Sequence, residues 1–234
     1  MQKKIAYDYV ISLGERRATT QCLKRHNLRP RGLKLPFDWM IIPFETSVSA
    51  ILDDFVDFIA PERWHKIQYP LIPKLHFCNR FYDGKNKASF MHEFPSGASF
   101  ARGASAALDV FIPKINRMRA IMKSGGRILF VYMIGKRMPK RVICESVQKL
   151  REQFNNPNID LLVIESGVNV ILPCTWSRIM HGVTKCRTKL NIMNPRWDNT
   201  TTQQFKYIDK IFSKIRVSHR VISGQFVGEH STIS

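Results

Sequence analysis

Several signatures are missing from this chain of 234 residues, and each absence removes a class of function. No uninterrupted apolar run is long enough to span a bilayer, so no membrane-crossing helix is expected. The opening Met1-Gln2-Lys3-Lys4 has no apolar h-region and no small-residue cleavage site, so a secretory leader is not expected. The five cysteines, Cys22, Cys78, Cys144, Cys174 and Cys186, are odd in number and widely spread, which reads as reduced thiols in a cytoplasmic protein. Neither C-x-x-C nor H-E-x-x-H occurs. His76 with Cys78, and Cys174 with His181 and Cys186, therefore lack the spacing that pre-forms a metal site. The fingerprints G-x-x-x-x-G-K-[ST], G-x-G-x-x-G and G-x-S-x-G are also absent, which removes the signatures of P-loop, dinucleotide-fold and serine-hydrolase proteins. Acidic residues are scarce as well.

That scarcity leaves a formal net charge of +19. The acids concentrate between Asp38 and Glu62, a stretch without Lys or Arg, while the basic excess lies in Lys3–Lys34, Lys114–Arg151 and Arg178–Arg220. Such a field attracts nucleic acid, anionic membrane, acidic glycans or phosphate-bearing ligands, or it merely keeps the surface solvated. No RNA-binding signature, zinc finger or heptad-bearing basic region accompanies it, which argues against nucleic acid.

An apolar fraction of 44% is ample for a core. Continuous apolar runs at Ala6–Leu13, Arg127–Ile134 and Ile159–Glu165 read as buried strands, with shorter candidates at Val168–Leu172 and Lys189–Met193. They alternate with helical patterns at Arg17–His26, Ser47–Ala60, Ala104–Lys123, Val142–Phe154 and Thr201–Lys214. Thr46 or Ser47 would cap the second helix, and Pro113 would kink or divide the third. Asp83-Gly84-Lys85-Asn86 is a turn signal that makes Leu75–Phe94 a β-hairpin insertion. The expected fold is α/β: a mostly parallel open sheet with helices on both faces and a hairpin insertion, one domain over residues 1–222 with a loose tail at 223–234.

The segment Tyr7–Met40 draws the chemical argument. A strand ends at Gly14 and opens a helix, and backbone N–H groups at such a corner favour nucleophiles and anions. Cys22 lies two turns into that helix with His26 four residues later on the same face. It reads either as a thiol among Arg16, Arg17, Lys24 and Arg25 or as a small buried apolar residue. His92, beside the Pro95-Ser96-Gly97 loop, has the place of a general base or of an ordinary strand-end residue. In Pro36-Phe37-Asp38-Trp39 the aromatics read as core plugs. Asp38 either caps, pairs with an arginine such as Arg29, or faces substrate.

Taken in order, Tyr7-Asp8, Ser12-Leu13-Gly14, Leu23-Lys24-Arg25, Leu28-Arg29, Pro36-Phe37-Asp38-Trp39 and His92-Glu93-Phe94 resemble a bacterial family of unknown function regarded as papain-like cysteine peptidases and often found near surface-polysaccharide genes. The helix Ile115–Met122 leading into Leu129-Phe130-Val131 resembles the family's later helix–strand unit. The resemblance implies a cysteine shortly after the glycine corner with a histidine base. Read without gaps, that cysteine position falls on Arg17, and Cys22 lies five residues later. Three readings follow. In the first, the chain is a cysteine-dependent acyl or amide transferase or hydrolase of capsule or lipopolysaccharide synthesis, at the inner face of the membrane. Cys22, His92 and Asp38 are then catalytic, Arg17, Arg29 and Trp39 bind substrate, and a phosphate-bearing acyl donor such as coenzyme A serves. In the second, it is a catalytically altered relative in which Arg17 holds an anionic glycan or nucleotide-linked substrate. In the third, it is a basic binding module without chemistry.

Overall fold

The computed structural model describes residues 6–14, 17–30, 32–66, 81–83, 88–90, 99–167, 174–188 and 209–217. The chain begins with β1 (Ala6–Tyr7), β2 (Tyr9–Ser12), α1 (Arg17–Arg25) and α2 (Phe44–Leu52), then a short 3-10 turn at Pro61–Arg63. Three short strands follow, β3 (Trp64–Lys66), β4 (Phe81–Asp83) and β5 (Ala88–Phe90). The remainder is α3 (Phe100–Lys123), β6 (Ile128–Ile134), α4 (Lys140–Gln153), β7 (Ile159–Ser166), β8 (Cys174–Met180), β9 (Val183–Thr188) and β10 (Arg216–Val217).

The central sheet has the order β2-β6-β7-β9-β8. Its first four strands are parallel, and β8 closes it antiparallel to β9. Alternate side chains of each strand enter different cores, as the period of two requires. Tyr9, Ile11, Phe130, Tyr132, Leu161 and Val163 pack with α2, α3 and α4 on one face. Val10, Leu129, Val131, Leu162, Ile164 and Cys186 pack on the other with Ala18, Cys22 and Leu23 of α1 and with Ile211 and Phe212. Helices thus cover both faces, as the apolar strands demanded. The hairpin insertion is present too: β4 and β5 pair antiparallel across Phe81↔Phe90 and Asp83↔Ala88, with β3 added as a third strand. Among the described residues, no helix is long and apolar enough to cross a membrane.

Four local readings change. The second helix runs over Phe44–Leu52 instead of Ser47–Ala60, because Asp54 and Phe55 take positive φ (54° and 64°) and stop it. Asp53 accepts the Phe55 N–H at 3.0 Å, and the Phe55 N–H also reaches the Ala50 carbonyl at 2.7 Å. Phe55 and Phe58 still reach the core, so apolar spacing survives where the helix does not. Ser47 lies inside that helix and donates to the Leu13 carbonyl at 2.6 Å instead of capping. Pro113 sits within an unbroken α3, which begins at Phe100 after Ser99, its N-cap, accepts the Arg102 N–H. The β8–β9 hairpin was not foreseen. Of the expected helix Thr201–Lys214, residues 209–212 are helical within the described region. The strand candidates at 168–172 and 189–193 and the tail lie outside the described residues.

Candidate functional site

Strands β2, β6, β7 and β9 all end at the same edge of the sheet, so their carboxyl ends carry Ser12–Gly14, Ile134, Ser166 and Thr188 together. That edge is where open α/β sheets place ligands. At the β2 corner Gly14 has φ 94°, and its N–H donates to Ser12 Oγ at 3.2 Å. Its carbonyl accepts the Thr19 hydroxyl at 3.3 Å, which ties the corner to the first turn of α1. A Cβ at Gly14 would run into the Ile42 side chain, so both the backbone angle and the space require glycine. Arg17 opens α1 immediately beyond this corner, and the first turn contains no acid.

Cys22 occupies the opposite environment. It is 2% exposed, packed with Val10, Leu23, Val131 and Phe212 between α1 and the sheet. Burial pushes its thiol up to about 12, against a smaller opposing pull from Arg25, and Asp209 adds to the rise. The dominant cause is desolvation, so the basic composition around it does not produce a thiolate. His26, its helical neighbour, turns to the surface segment instead. Its Nε2 lies 3.0 Å from Asp209 Oδ1 and its ring stacks on Phe212 at 5.3 Å. Burial shifts the His26 imidazole down, which favours the neutral ring.

Asp38 and Arg29 meet in a buried bidentate pair. Arg29 Nη1 and Nη2 donate to the two Asp38 oxygens at 2.6 and 2.7 Å. The Leu35 N–H and the Thr20 hydroxyl donate to the same carboxylate at 2.7 and 3.2 Å. Of the roles open to Asp38, pairing with Arg29 is the one observed. Phe37 plugs the core against Phe55 and Phe58, whereas Trp39 is half-buried, with φ 67° and Lys24 Nζ 4.8 Å over its ring. His92 lies outside the described residues, so the separation of Cys22 from it is not part of the geometry. The structure brings together Asp38, Arg29 and, through Thr20, α1; it places Cys22 on the buried face of α1 and Arg17 at that helix's start.

A second charged group carries no sequence signature. Glu165, at the end of β7, is fully buried and accepts from Lys185 Nζ at 2.6 Å, Arg187 Nε at 2.8 Å and the Met138 N–H at 2.7 Å. Burial would raise its carboxyl, but these donors outweigh it and hold it below its ordinary value. The register Glu165↔Arg187 puts both at the carboxyl edge. Among the described residues, no group of three or more His, Cys, Asp or Glu could hold a metal ion.

A family model described as "Putative papain-like cysteine peptidase (DUF1796)" matches residues 8–165. The chain belongs to that family. The matched region runs from the residue before β2 to Glu165 and so contains the Gly14 corner, the Asp38–Arg29 pair and the β6–α4 connection. The β8–β9 hairpin, with Lys185 and Arg187, lies beyond it. No curated protein and no solved structure matches the chain.

Proposed function

We propose that this chain is a catalytically altered member of its family, which binds a phosphate-bearing or acidic-sugar ligand at the carboxyl edge of its sheet and serves the synthesis of an anionic surface glycan. The observation that carries this reading is the burial of Cys22: a thiol pushed up to about 12 inside a core is a poor nucleophile near neutral pH. The corner position that the family resemblance assigns to cysteine is instead Arg17, the first residue of α1. An arginine at the start of a helix suits recognition of an oxyanion of phosphate or of a sugar acid. The net charge of +19 adds long-range attraction for such ligands and for the anionic face of a membrane on which glycan precursors are assembled. The diphosphate of a nucleotide-linked sugar and that of coenzyme A offer the same anionic handle.

The competing reading makes Cys22 the nucleophile and His92 its base, and family membership favours it. The two separate in one pair of measurements. Under the anion-binding reading, inorganic phosphate raises the melting temperature, Arg17→Ala removes that rise, and Cys22 reacts with iodoacetamide far more slowly than half-buried Cys144 at pH 7.5. Rapid, selective labelling of Cys22 with an unchanged phosphate effect in Arg17→Ala would reverse the assignment.

A further inference from the structure

One flank of helix α1 is closed by chain from the far end of the sequence. Asp209 Oδ1 lies 3.0 Å from His26 Nε2 and 3.6 Å from Arg25 Nε, and the His26 ring stacks on Phe212 at 5.3 Å. Cys22 stands three and four residues before Arg25 and His26, so all three share that flank of the helix. Ala18, four residues before Cys22, continues it. Ala18 and Cys22 are small, and the bulky Ile211 and Phe212 pack in the same core beside them. The opposite flank meets a different element, since Thr20 donates to Asp38. Burial raises the Cys22 thiol and the Asp209 charge adds to the rise, so the segment is within electrostatic reach of the sulfur.

The fastenings of residues 209–217 are slight beside those of the sheet. β10 pairs with β1 only through Ala6↔Arg216 and Tyr7↔Val217, whereas β7 pairs with β9 along the whole of the latter strand. Arg25 and Asp209 are 49% and 41% exposed, so water screens their attraction. Exposed Lys214 holds its Nζ 4.6 Å over the Trp176 ring of β8. Within the segment only Ile211 and Phe212 are buried. Short pairings and few buried side chains place it at the low end of local stability. It also lies beyond residue 165, where the family match ends.

We propose that residues 209–217 form a releasable strap, which covers the Cys22–His26 flank of α1, withholds the thiol from reaction and opens while the sheet stays folded. The inference goes beyond the anion-binding reading, which concerns the docked chain. Docked, the strap keeps the thiol out of water and holds His26 against Asp209 and Phe212. Released, it leaves a thiol and an imidazole one helical turn apart, each without its covering partner. The desolvation that raises the thiol is then relieved.

The test compares Cys22 with Cys186, which is equally buried in the same core but belongs to β9. The full chain is alkylated with iodoacetamide near neutral pH, and each site is followed by mass spectrometry. Asp209→Ala with Lys214→Ala cuts the two surface fastenings and leaves the apolar contacts in place. It should speed Cys22 labelling by about tenfold, the effect of about 1.4 kcal/mol of lost docking, while Cys186 stays slow. Equal acceleration of both thiols would show that the whole core has loosened, and an unchanged Cys22 would show that α1 and the sheet seal it without help. Either result overturns the proposal. Hydrogen exchange in the parent reads the same opening without a variant. The Ser213 and Ile215 amides donate to the Asp209 and Phe212 carbonyls, and their protection should equal that of the Cys22 thiol. Both should lie at least about tenfold below the β7 amides. A thiol protected as fully as β7 would mean that it is reached only by global unfolding, and the strap would be part of the core.

Discussion

Among the described residues two ion pairs have both members buried, and they face different ways. Arg29–Asp38 is enclosed: the carboxylate's donors are Arg29, Leu35 and Thr20, so the pair binds the Leu28–Met40 connection to α1. Glu165–Lys185 is equally buried, but its partners are the Met138 backbone and Arg187, which lead directly to exposed cations. The same chemistry therefore fastens interior segments in one place and the β6–α4 connection in the other. The difference lies in what the outermost hydrogen bond holds. The first pair ends on a hydroxyl and an amide of the interior, the second on Met138, which exposed residues flank on both sides.

The sharpest way to break this comparison is Asp38→Ala. It leaves the Arg29 guanidinium buried without its carboxylate and should cost about 3–5 kcal/mol, read from urea unfolding. Replacing both members with apolar residues of similar volume should restore most of that loss. If Asp38→Ala folds normally and only an activity disappears, the enclosed pair is a substrate site and the contrast collapses.

The same enclosed region holds Cys22, and alkali probes it next. A thiol whose folded value is raised above its unfolded one contributes stability that is complete below pH 9 and lost as pH climbs toward 12. In that window the parent should lose up to about 1.4 kcal/mol per pH unit more than Cys22→Ala does. Parallel curves for the two proteins would mean that the thiol is already solvated. Gly14→Ala tests the border between the two regions. It forces alanine to a positive φ and into Ile42, and should cost about 1–3 kcal/mol in thermal unfolding. A neutral result would mean that the corner is free to shift toward the β6–α4 connection.

Much of this architecture was written in simple patterns. The runs at residues 6–13, 127–134 and 159–165 are apolar on both faces because both faces are covered, and that alone indicated a parallel sheet. The residue types of Asp83–Asn86 indicated the antiparallel pairing of β4 with β5. Helix α2 stops short of the expected Ala60 because Phe55 and Phe58 keep helical spacing through a left-handed turn, and spacing carries no information about φ. The β8–β9 hairpin was hidden by Lys185 and Arg187, whose charges interrupt the alternation that normally marks a strand. For the site the balance is reversed. Pro36-Phe37-Asp38-Trp39, the most conspicuous motif, is largely an interior fastening. Lys185 stands out nowhere in the sequence, because a lysine is usually solvated and only long-range pairing with Glu165 buries it.

The smallest expected effect bears most directly on the contrast. Glu165 is held below its ordinary carboxylate range by Lys185, the Met138 N–H and Arg187, in spite of its burial. A depressed carboxyl contributes stability that is present above the unfolded value, about 4.3, and lost as pH falls through the lower folded value. Burial works against the hydrogen bonds, so the net gain is modest and the acid transition should shift only slightly in Glu165→Gln with Lys185→Met. The β6–α4 connection should respond more strongly than the fold does. Once Glu165 is protonated, its hold on Lys185 and Arg187 weakens, and hydrogen exchange at the Met138 amide should accelerate before the β7 amides lose protection. Simultaneous loss at Met138 and along β7 would show that the second pair, like the first, is simply part of the core.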